Sequence, residues 1–291
     1  MRTLVHLSDL HFGRVDYCVV EPLVEKVKEV KPDVVVVSGD LTQRARSQQF
    51  KEAREFLDRL PKPQIIVPGN HDVPMHNAYA RFFKGLNKYK RYITDDLEPF
   101  YSDTEIAVLG LNTARRFTIK YGRVNEDQIA AIRERLCAFG DEVTKIIVTH
   151  HPFDLPEGGD ENELVGRARL AMETIAVCGA DVLLAGHLHL SHTGESSARY
   201  KIAGHSALVV SAGTATSTRG RGESNSFNVL RIKHPFINVE RLSWQAESAR
   251  FTPSSTEHFK HTPDGWTRVP DEMAAEIVYS DEKTIAPPTD S

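Results

Sequence analysis

The sequence predicts an α/β fold in which two packed β-sheets are flanked by helices. Up to about residue 190, apolar runs typical of β-strands alternate with amphipathic patterns typical of α-helices. Several of these runs, such as the four valines at 34–37, are too apolar for a strand with one solvated face, which indicates a sheet covered on both sides. After residue 190, strand-like runs follow one another with only short polar turns between them, which indicates antiparallel strands.

Two groups of strand-like runs can be separated along the chain. The earlier runs have helical patterns between them and are expected to form a sheet with helices on its faces. The later runs lack such helices and are expected to form a second, antiparallel sheet that packs against the first within one domain. The earlier runs are 3–8, 33–38, 64–69, 105–112, 145–150 and 181–186, and the later runs are 207–213, 226–232 and 237–244.

Three helical patterns lie between the earlier strands. The first has apolar residues on one face over 20–27 and a proline near its start. The second runs over 50–57 and stops before Pro61. The third is expected after Asn125, a favourable N-cap residue, and carries apolar residues over 129–136.

The domain boundary is predicted from a change in composition. Residues 1–245 hold all the strand patterns and are expected to form a single folded domain. From about residue 246 the chain becomes polar and rich in proline, threonine and serine, and it ends in APPTDS. Such a composition is typical of a loosely attached or disordered tail, which we expect for residues 246–291.

Charge and hydropathy exclude some classes of protein. Lysine and arginine total 36 against 40 acidic residues, a net charge of −4, which argues against a protein that holds nucleic acid by charge alone. The sequence shows neither a signal peptide nor an apolar run of about 18 residues, so we expect no membrane span and a cytoplasmic location. The oligomeric state, including a homo-oligomer, is left open.

The cysteines predict a reducing environment. The three residues Cys18, Cys137 and Cys178 are odd in number and far apart in sequence. A disulfide framework is therefore not expected, in agreement with a cytoplasmic location.

Polar residues follow nearly every early strand at its carboxyl end. In open α/β sheets, ligands bind in the crevice beyond these ends, so the polar residues are expected to meet there. Within the first and the last of these motifs two polar residues lie two positions apart, so on an extended segment both would face one way. The motifs are Asp9-Leu10-His11, Gly39-Asp40, Gly69-Asn70-His71-Asp72, His150-His151-Pro152 and Gly186-His187-Leu188-His189.

The types of these residues indicate a metal site. Asp40 directly follows a buried strand, where a carboxylate is costly unless a cation meets it. Taken singly, each motif is also compatible with an ordinary turn or a buried histidine pair, but together at successive strand ends they favour metal binding. Histidine, aspartate and asparagine suit Mn, Fe, Zn or Co, and the motifs contain no cysteine for a thiolate zinc site. The ligands are too many for one ion, so two ions that share Asp40 are expected.

The series DLH, GDLT, GNHD, THHP and GHLH resembles the calcineurin-like metallophosphoesterase superfamily. The opening HLSDLHFG, with the whole set between residues 9 and 189, is most similar to its class III cyclic-nucleotide phosphodiesterase branch. The resemblance covers residues 1–245. It implies a four-layer αββα sandwich with two mixed sheets and a dinuclear metal site at the carboxyl ends of the strands.

The resemblance also implies a role for each polar residue. His71 would protonate the leaving group and Asp72 would orient His71. His151 could exchange roles with His150, which is favoured because it continues the strand and matches the family's usual ligand position. Phe153 stands where many class III members have a second proline, so the shape of this wall of the site is not implied. The implied ligands are Asp9, His11 and His189 for the first ion and Asn70, His150 and His187 for the second, with Asp40 bridging.

The implied activity is hydrolysis of a small phosphodiester, such as a cyclic nucleotide or a glycerophosphodiester. Two divalent or trivalent ions (Mn, Fe or Zn) about 3.5–4 Å apart can hold a hydroxide that attacks phosphorus, while a histidine such as His71 acts as the general acid. Three alternatives remain: a pyrophosphatase on a nucleotide-linked lipid precursor, with an apolar insertion best placed at 77–102, a DNA nuclease, and an inactive metal-binding scaffold.

Several arginines lie near these motifs and are candidates for contacts with a phosphate group. For each of them a solvated surface position is the ordinary alternative, and the sequence does not decide between the two. The arginines concerned are Arg44, Arg46, Arg115, Arg116, Arg219 and Arg221.

Overall fold

The computed structural model describes residues 1–75, 78–118, 120–156, 158–196, 199–200, 206–219 and 222–270. The strands are β1 Arg2–Leu7, β2 Val34–Ser38, β3 Gln64–Val67, β4 Phe100–Ser102, β5 Ile106–Gly110, β6 Thr144–Val148, β7 Val182–Ala185, β8 His192–Glu195, β9 Leu208–Ser211, β10 Ser226–Lys233, β11 Phe236–Gln245, β12 Arg250–Thr262 and β13 Gly265–Val269. The helices are α1 Tyr17–Val30, α2 Ser47–Arg59, α3 Ala78–Lys84, α4 Asn87–Tyr92, α5 Glu126–Leu136 and α6 Ala168–Val177, with 3-10 turns at Asn70–Asp72 and Glu161–Glu163.

These strands form two mixed sheets. The first has the order β13-β12-β11-β10-β1-β2-β3, and the second has the order β4-β5-β6-β7-β9-β8. In the first sheet β1 pairs in parallel with β2 and antiparallel with β10. In the second sheet β5, β6, β7 and β9 run parallel, with antiparallel strands at both edges. The predicted fold class, two mixed sheets flanked by helices, is confirmed.

The division of strands between the sheets differs from the prediction. The runs 105–112, 145–150 and 181–186 are not in the sheet of the first three strands, and 226–232 and 237–244 join that sheet instead. The run 207–213 contains β9, which pairs in parallel with β7. All four residues of β9 are buried, so both of its faces are covered. Apolar patterns report such burial but not which strands pair.

The run of valines at 34–37 explains how the layers are held together. Val34 and Val36 pack into the core between the two sheets, against side chains such as Val108 and Ile146 of the second sheet. Val35 and Val37 point to the other face, into the core formed with α1 and α2. A third core lies between the second sheet and helices α5 and α6. The four layers therefore follow the order helices, sheet, sheet, helices, and a central strand must be apolar on both faces.

The predicted tail boundary at residue 246 is wrong for residues 246–269. These residues include β12 and β13, which extend the first sheet beyond β11. Phe251, Phe259 and Trp266 are buried with at most 4% of their surface exposed. The apolar residues are sparse among polar ones because these strands lie toward the edge of the sheet, so composition alone suggested a tail. Residues 271–291 lie outside the described part of the chain.

The prediction that no disulfide forms is also wrong. Cys137 and Cys178 form a disulfide with 4.3 Å between their Cα atoms, whereas Cys18 is free and exposed. The two bonded cysteines are 41 residues apart in sequence, but each occupies the C-cap of a helix, α5 and α6, and these helices lie side by side. Sequence distance concealed their proximity.

Among the helices of the described residues, none has the length and apolar character needed to cross a membrane.

The position of Trp266 gives a test of the corrected boundary. Its side chain is 1% exposed, and its indole Nε1 donates a hydrogen bond of 2.9 Å to Asp181 Oδ1, just before β7 of the second sheet. We expect Trp266→Ala to lower the free energy of unfolding by about 3–5 kcal/mol, as for other buried aromatic residues. Trp244→Ala is the matched control, because Trp244 lies on β11 and is only partly buried. Urea denaturation followed by circular dichroism measures both variants. An unchanged urea midpoint for Trp266→Ala would favour the original prediction that residues 246–291 form a loosely attached tail.

Candidate metal centre

The polar motifs converge at one edge of the molecule, where strands of both sheets end. The loops after β1, β2 and β3 bring residues from the first sheet, and the loops after β6 and β7 bring residues from the second. Hydrogen bonds between backbones join these loops, as in His11 N to Asp40 O at 2.9 Å and Gly186 N to His150 O at 3.1 Å. All seven side chains in question are buried: Asp9, His11, Asp40, Asn70, His150, His187 and His189.

One group of donors combines Asp9, His11 and His189. Nε2 of His11 lies 3.5 Å from Asp9 Oδ1, and Nε2 of His189 lies 3.6 Å from the same oxygen. The two imidazole rings stack with 5.0 Å between their centroids. Donor atoms of the three residues lie within 4.8 Å of one another, a spacing that one ion could span.

A second group combines Asn70, His150 and His187. Asn70 Oδ1 lies 3.1 Å from His150 Nε2 and 3.1 Å from His187 Nδ1. His150 Nδ1 is 2.8 Å from the backbone oxygen of Ser38, so this contact directs the opposite nitrogen toward Asn70. The three side chains therefore present one oxygen and two nitrogens to a common point.

Asp40 lies between the two groups. Its Oδ1 is 3.4 Å from His150 Nε2, and its Oδ2 is 3.7 Å from His11 Nε2. Oδ1 also accepts a hydrogen bond of 2.8 Å from the backbone nitrogen of His71. One carboxylate thus faces both sets of donors, with a different oxygen toward each.

The backbone at the motifs is left-handed where the sequence suggested an extended segment. Few residues other than glycine adopt positive φ, and those that do concentrate at functional sites. The expectation that the paired residues lie on an extended segment is therefore wrong, since both members of each pair have left-handed backbone on either side of a leucine. The φ values are 53° at Asp9, 49° at His11, 53° at Asp40, 72° at His187 and 55° at His189.

A glycine permits the close approach of two of these loops. A Cβ atom on Gly69 would lie 2.1 Å from Asp40 Oδ1 and 2.3 Å from the Asp40 backbone nitrogen. No side chain fits at that distance, so the residue before Asn70 must be glycine for the second and third strand ends to meet. The glycine of the GNHD motif is therefore required by packing around Asp40.

His151 lies beside His150 and His187, with 4.6 Å between its ring centroid and that of His187, but its ring nitrogens contact other groups. Its Nδ1 is 2.8 Å from the Thr113 hydroxyl oxygen, and its Nε2 is 2.9 Å from the backbone oxygen of Lys120. Both ring nitrogens already have partners, whereas His150 Nε2 faces Asn70 and Asp40. Burial lowers the pKa of His151 well below its usual value, so the ring is neutral.

His71 borders the site. The resemblance implied that Asp72 orients it, but Asp72 does not contact its ring. Its Nδ1 lies 2.8 Å from the backbone oxygen of Gln43, and its Nε2 lies 3.0 Å from an Arg219 guanidinium nitrogen. Burial lowers the pKa of His71, and Arg219 acts in the same direction. The carbonyl of Gln43, rather than a carboxylate, fixes the ring, because the loop after β2 folds over the loop after β3.

Asp72 instead joins the two loops. Its carboxylate accepts hydrogen bonds from the backbone nitrogens of Leu41, Thr42 and Gly69 at 3.1, 2.9 and 2.9 Å, and from the Thr42 hydroxyl at 3.0 Å. The side chain is 1% exposed. It therefore supports the shape of the site without touching the reactive region.

The electrostatics and the unpaired atoms of the site fit bound cations. Burial opposes a charge on His150, but the carboxylates of Asp40 and Asp9 outweigh burial and raise its pKa to about 9. Asp9 Oδ1, His189 Nδ1 and both ring nitrogens of His11 are buried without a hydrogen-bond partner in the described part of the chain. Each such atom costs about 1–3 kcal/mol when unsatisfied. Carboxylates and imidazoles with free donor atoms are what a divalent cation requires.

Sequence reasoning missed Glu163. This residue, 8% exposed, lies on the 3-10 turn after β6, and its Oε2 is 2.8 Å from His187 Nε2. The Lys120 ammonium pairs with its other oxygen. A carboxylate on the outer nitrogen fixes the orientation of an imidazole whose inner nitrogen faces a metal. Its loop position, 24 residues before His187, gave no periodic signal, and only the acidic run DENE at 160–163 marked it.

The predicted arginines differ in where they lie. Arg219 reaches His71, whereas Arg115 and Arg116 line a cavity beside Val73. Arg44 and Arg46 have exposed side chains. Arg221 lies outside the described residues.

The fold and the donor set define a class, the metallophosphoesterases, in which a four-layer α/β sandwich carries histidines and carboxylates at its strand ends. The family model of the calcineurin-like phosphoesterases matches residues 2–191, and the chain belongs to that family.

Curated relatives match part of the chain. A probable glycerophosphodiester phosphodiesterase, GpdQ, from Arcobacter nitrofigilis is 28% identical over 163 residues, which cover 55% of this chain and 57% of the relative. The 3',5'-cyclic adenosine monophosphate phosphodiesterase CpdA of Escherichia coli K12 is 25% identical over 161 residues, 54% of each chain. The match thus spans about half the length of these relatives.

Solved structures show the same fold. A purple acid phosphatase from yellow lupin, Lupinus luteus, matches 88% of this chain and 53% of its own, with a TM-score of 0.66 and 13% identity. A dimetal phosphatase from Danio rerio matches 82% of this chain and 95% of its own, with a TM-score of 0.60 and 13% identity.

The contacts of Asp72 predict an effect on stability. Asp72→Ala leaves buried backbone donors of two loops without acceptors, so we expect a loss of at least about 2–3 kcal/mol in the free energy of unfolding. His71→Ala is the control, because its ring is partly exposed and should be removed at little cost in stability. Chemical denaturation compares the two. Equal stabilities would show that Asp72 does not hold the loops together.

Proposed function

We propose that the protein is a dinuclear-metal phosphodiesterase that acts on a small phosphodiester, such as a cyclic nucleotide or a glycerophosphodiester. The observation that carries the proposal is the position of Asp40, with one oxygen toward each of two donor groups. The names of the relatives support a phosphodiester as substrate. Turnover of bis(p-nitrophenyl) phosphate by the metal-loaded protein is the direct test, and its absence would contradict the proposal.

In this proposal the two donor groups hold two ions, with Mn, Fe or Zn as the preferred metals for such ligands. Two bound ions would supply a hydroxide nucleophile near neutral pH and neutralise charge on the phosphoryl oxygens. Glu163 would keep His187 in its orientation, with Nδ1 inward. The ligands are Asp9, His11 and His189 for the first ion and Asn70, His150 and His187 for the second, with Asp40 shared between them.

His71 would provide the proton that the departing alkoxide needs. The Gln43 carbonyl accepts from Nδ1 and leaves Nε2 directed into the site, 4.0 Å from Asp40 Oδ2. A protonated Nε2 cannot accept from Arg219, so the guanidinium must leave His71 before the proton is donated. We propose that the freed Arg219 then binds the phosphoryl oxygens, for which its planar set of donors is well suited.

Among the alternatives, the inactive scaffold is disfavoured because the seven proposed donors and His71 are all present and their side chains meet at one place. The cytoplasmic location stays a prediction. The Cys137–Cys178 disulfide disfavours a cytoplasmic location, since disulfides persist mainly in oxidising compartments.

The two adjacent histidines give a matched pair of variants. His150→Ala should lower the content of one metal ion, because it removes a nitrogen directed at Asn70 and Asp40. His151→Ala should leave metal content close to normal, because both nitrogens of His151 are bonded elsewhere. Elemental analysis of the folded variants measures the difference. A larger loss in His151→Ala would reverse the assignment.

The role of His71 can be separated from metal binding by the choice of leaving group. Nitrophenolate departs readily without a proton, whereas an alkoxide does not. His71→Ala should therefore slow hydrolysis of an alkyl phosphodiester by about 10²–10⁴-fold and affect bis(p-nitrophenyl) phosphate far less. Rates are compared with metal sites saturated and with chemistry limiting turnover. If both substrates lose the same factor, His71 positions the phosphate or the metals and is not the general acid.

A further inference from the structure

A cavity of about 500 Å³ lies beside the metal centre and takes no part in the function proposed above. Its walls come from the end of α3, from α4 and from the loop after β5. Val73, which lines it, directly follows Asp72. Asn112, on another wall, precedes Thr113, whose hydroxyl contacts His151. The loop after β3, which carries Asn70, therefore also forms part of this cavity, and the loop after β5 connects the cavity to His151.

Among the residues that the structure describes, the cavity is lined by four cationic side chains, Lys84, Lys90, Arg115 and Arg116, and by no acidic one. Lys84 and Lys90 are exposed and form no ion pair within the described ranges of the chain. The Arg115 guanidinium is held by the Asn112 carbonyl at 2.7 Å and by Gln128 Oε1 at 2.6 Å, neither of which carries a charge. The carboxylate of Glu98 acts on the charge of Arg115, whereas the other three cations form no ion pair with a described residue.

A buried arginine supports the cationic wall from inside the protein. Arg81, on α3, is 4% exposed and donates to the backbone oxygens of Arg116, Arg115 and Pro74 at 2.8, 3.0 and 3.1 Å. It also donates to the Thr118 carbonyl. A buried guanidinium that is bonded only to carbonyls adds positive potential behind the wall, and it fixes the loop that carries Arg115 and Arg116.

One exposed aromatic ring lines the cavity, and two further rings are chain neighbours of its lining residues. Phe83, which lines it, is 72% exposed, and Phe82 packs against Phe117, with ring centroids 5.7 Å apart. Phe117 is itself 73% exposed. Such rings offer faces for stacking against a planar ligand. On the inner wall, the side-chain oxygen of Asn112 is buried and has no hydrogen-bond partner among the described residues.

We propose that this cavity binds an organic anion, that is, a phosphate or carboxylate group attached to a flat apolar body. The cations bind the charged group, and the exposed ring of Phe83 contacts the body. Such a group can belong to a distal arm of the substrate or to a separate molecule. The first source rests on the proposed function, whereas the second does not.

The test measures binding of thymidine 3',5'-bisphosphate to the metal-loaded protein by calorimetry. This probe carries two phosphates and an aromatic base. The test variant combines Lys84→Glu with Lys90→Glu. Arg91→Glu is the matched control, because Arg91 neighbours Lys90 on α4, lies over the Tyr92 ring and does not line the cavity.

Two results support the site and distinguish the sources. Two binding events in the wild type, one of them lost in the double variant, indicate a separate molecule in the cavity. A single event weakened about tenfold or more indicates one molecule that reaches from the metal centre into the cavity. In both cases the difference in binding between the wild type and the double variant should become smaller as the salt concentration is raised. Arg91→Glu should bind the probe as the wild type does.

Equal binding by the wild type and the double variant overturns the proposal. Should the double variant fail to fold, Lys90→Ala alone serves, since it removes one exposed side chain. Turnover of bis(p-nitrophenyl) phosphate is measured in parallel. A wild type without turnover contradicts the proposed function, while the calorimetric comparison still decides whether the cavity binds the anion.

Discussion

The buried carboxylate of Asp40 is the constraint on which the rest of the structure depends. A carboxylate that is only 1% exposed is tolerable only among compensating groups, and those come from three other strand ends. His11 approaches from β1, the backbone nitrogen of His71 from β3 and His150 from β6. Even the small volume of Gly69 follows from it, since any side chain there would collide with this carboxylate.

The proposed donors come from both sheets. Asp9, His11, Asp40 and Asn70 follow strands of one sheet, and the three remaining donors follow strands of the other. The sheets must therefore pack with their carboxyl ends at the same edge. The alternating burial of Val34–Val37 into two different cores holds the central strand in that position. The geometry of the site therefore depends on how the two sheets pack against each other.

Much of this could be predicted from the sequence, because strand-end motifs and apolar runs are local signals. Two sheets flanked by helices were predicted in that way and are confirmed, and the strand-end motifs led to the seven proposed donors, which stay a prediction. The pairing of strands could not be predicted, so the prediction for β9 names the wrong sheet. The apolar residues of β12 are too sparse to indicate a strand. Contacts between distant segments were equally hidden, as with Glu163 on His187 and the Gln43 carbonyl on His71.

Leu10 and Leu188 each stand between two proposed donors and are buried, with at most 5% of their surface exposed. Each leucine thus fixes the loop that carries it in the protein interior, and the flanking donors take their positions from left-handed backbone. The choice among ions would then depend on the type and spacing of these donors and on which metals the surroundings supply.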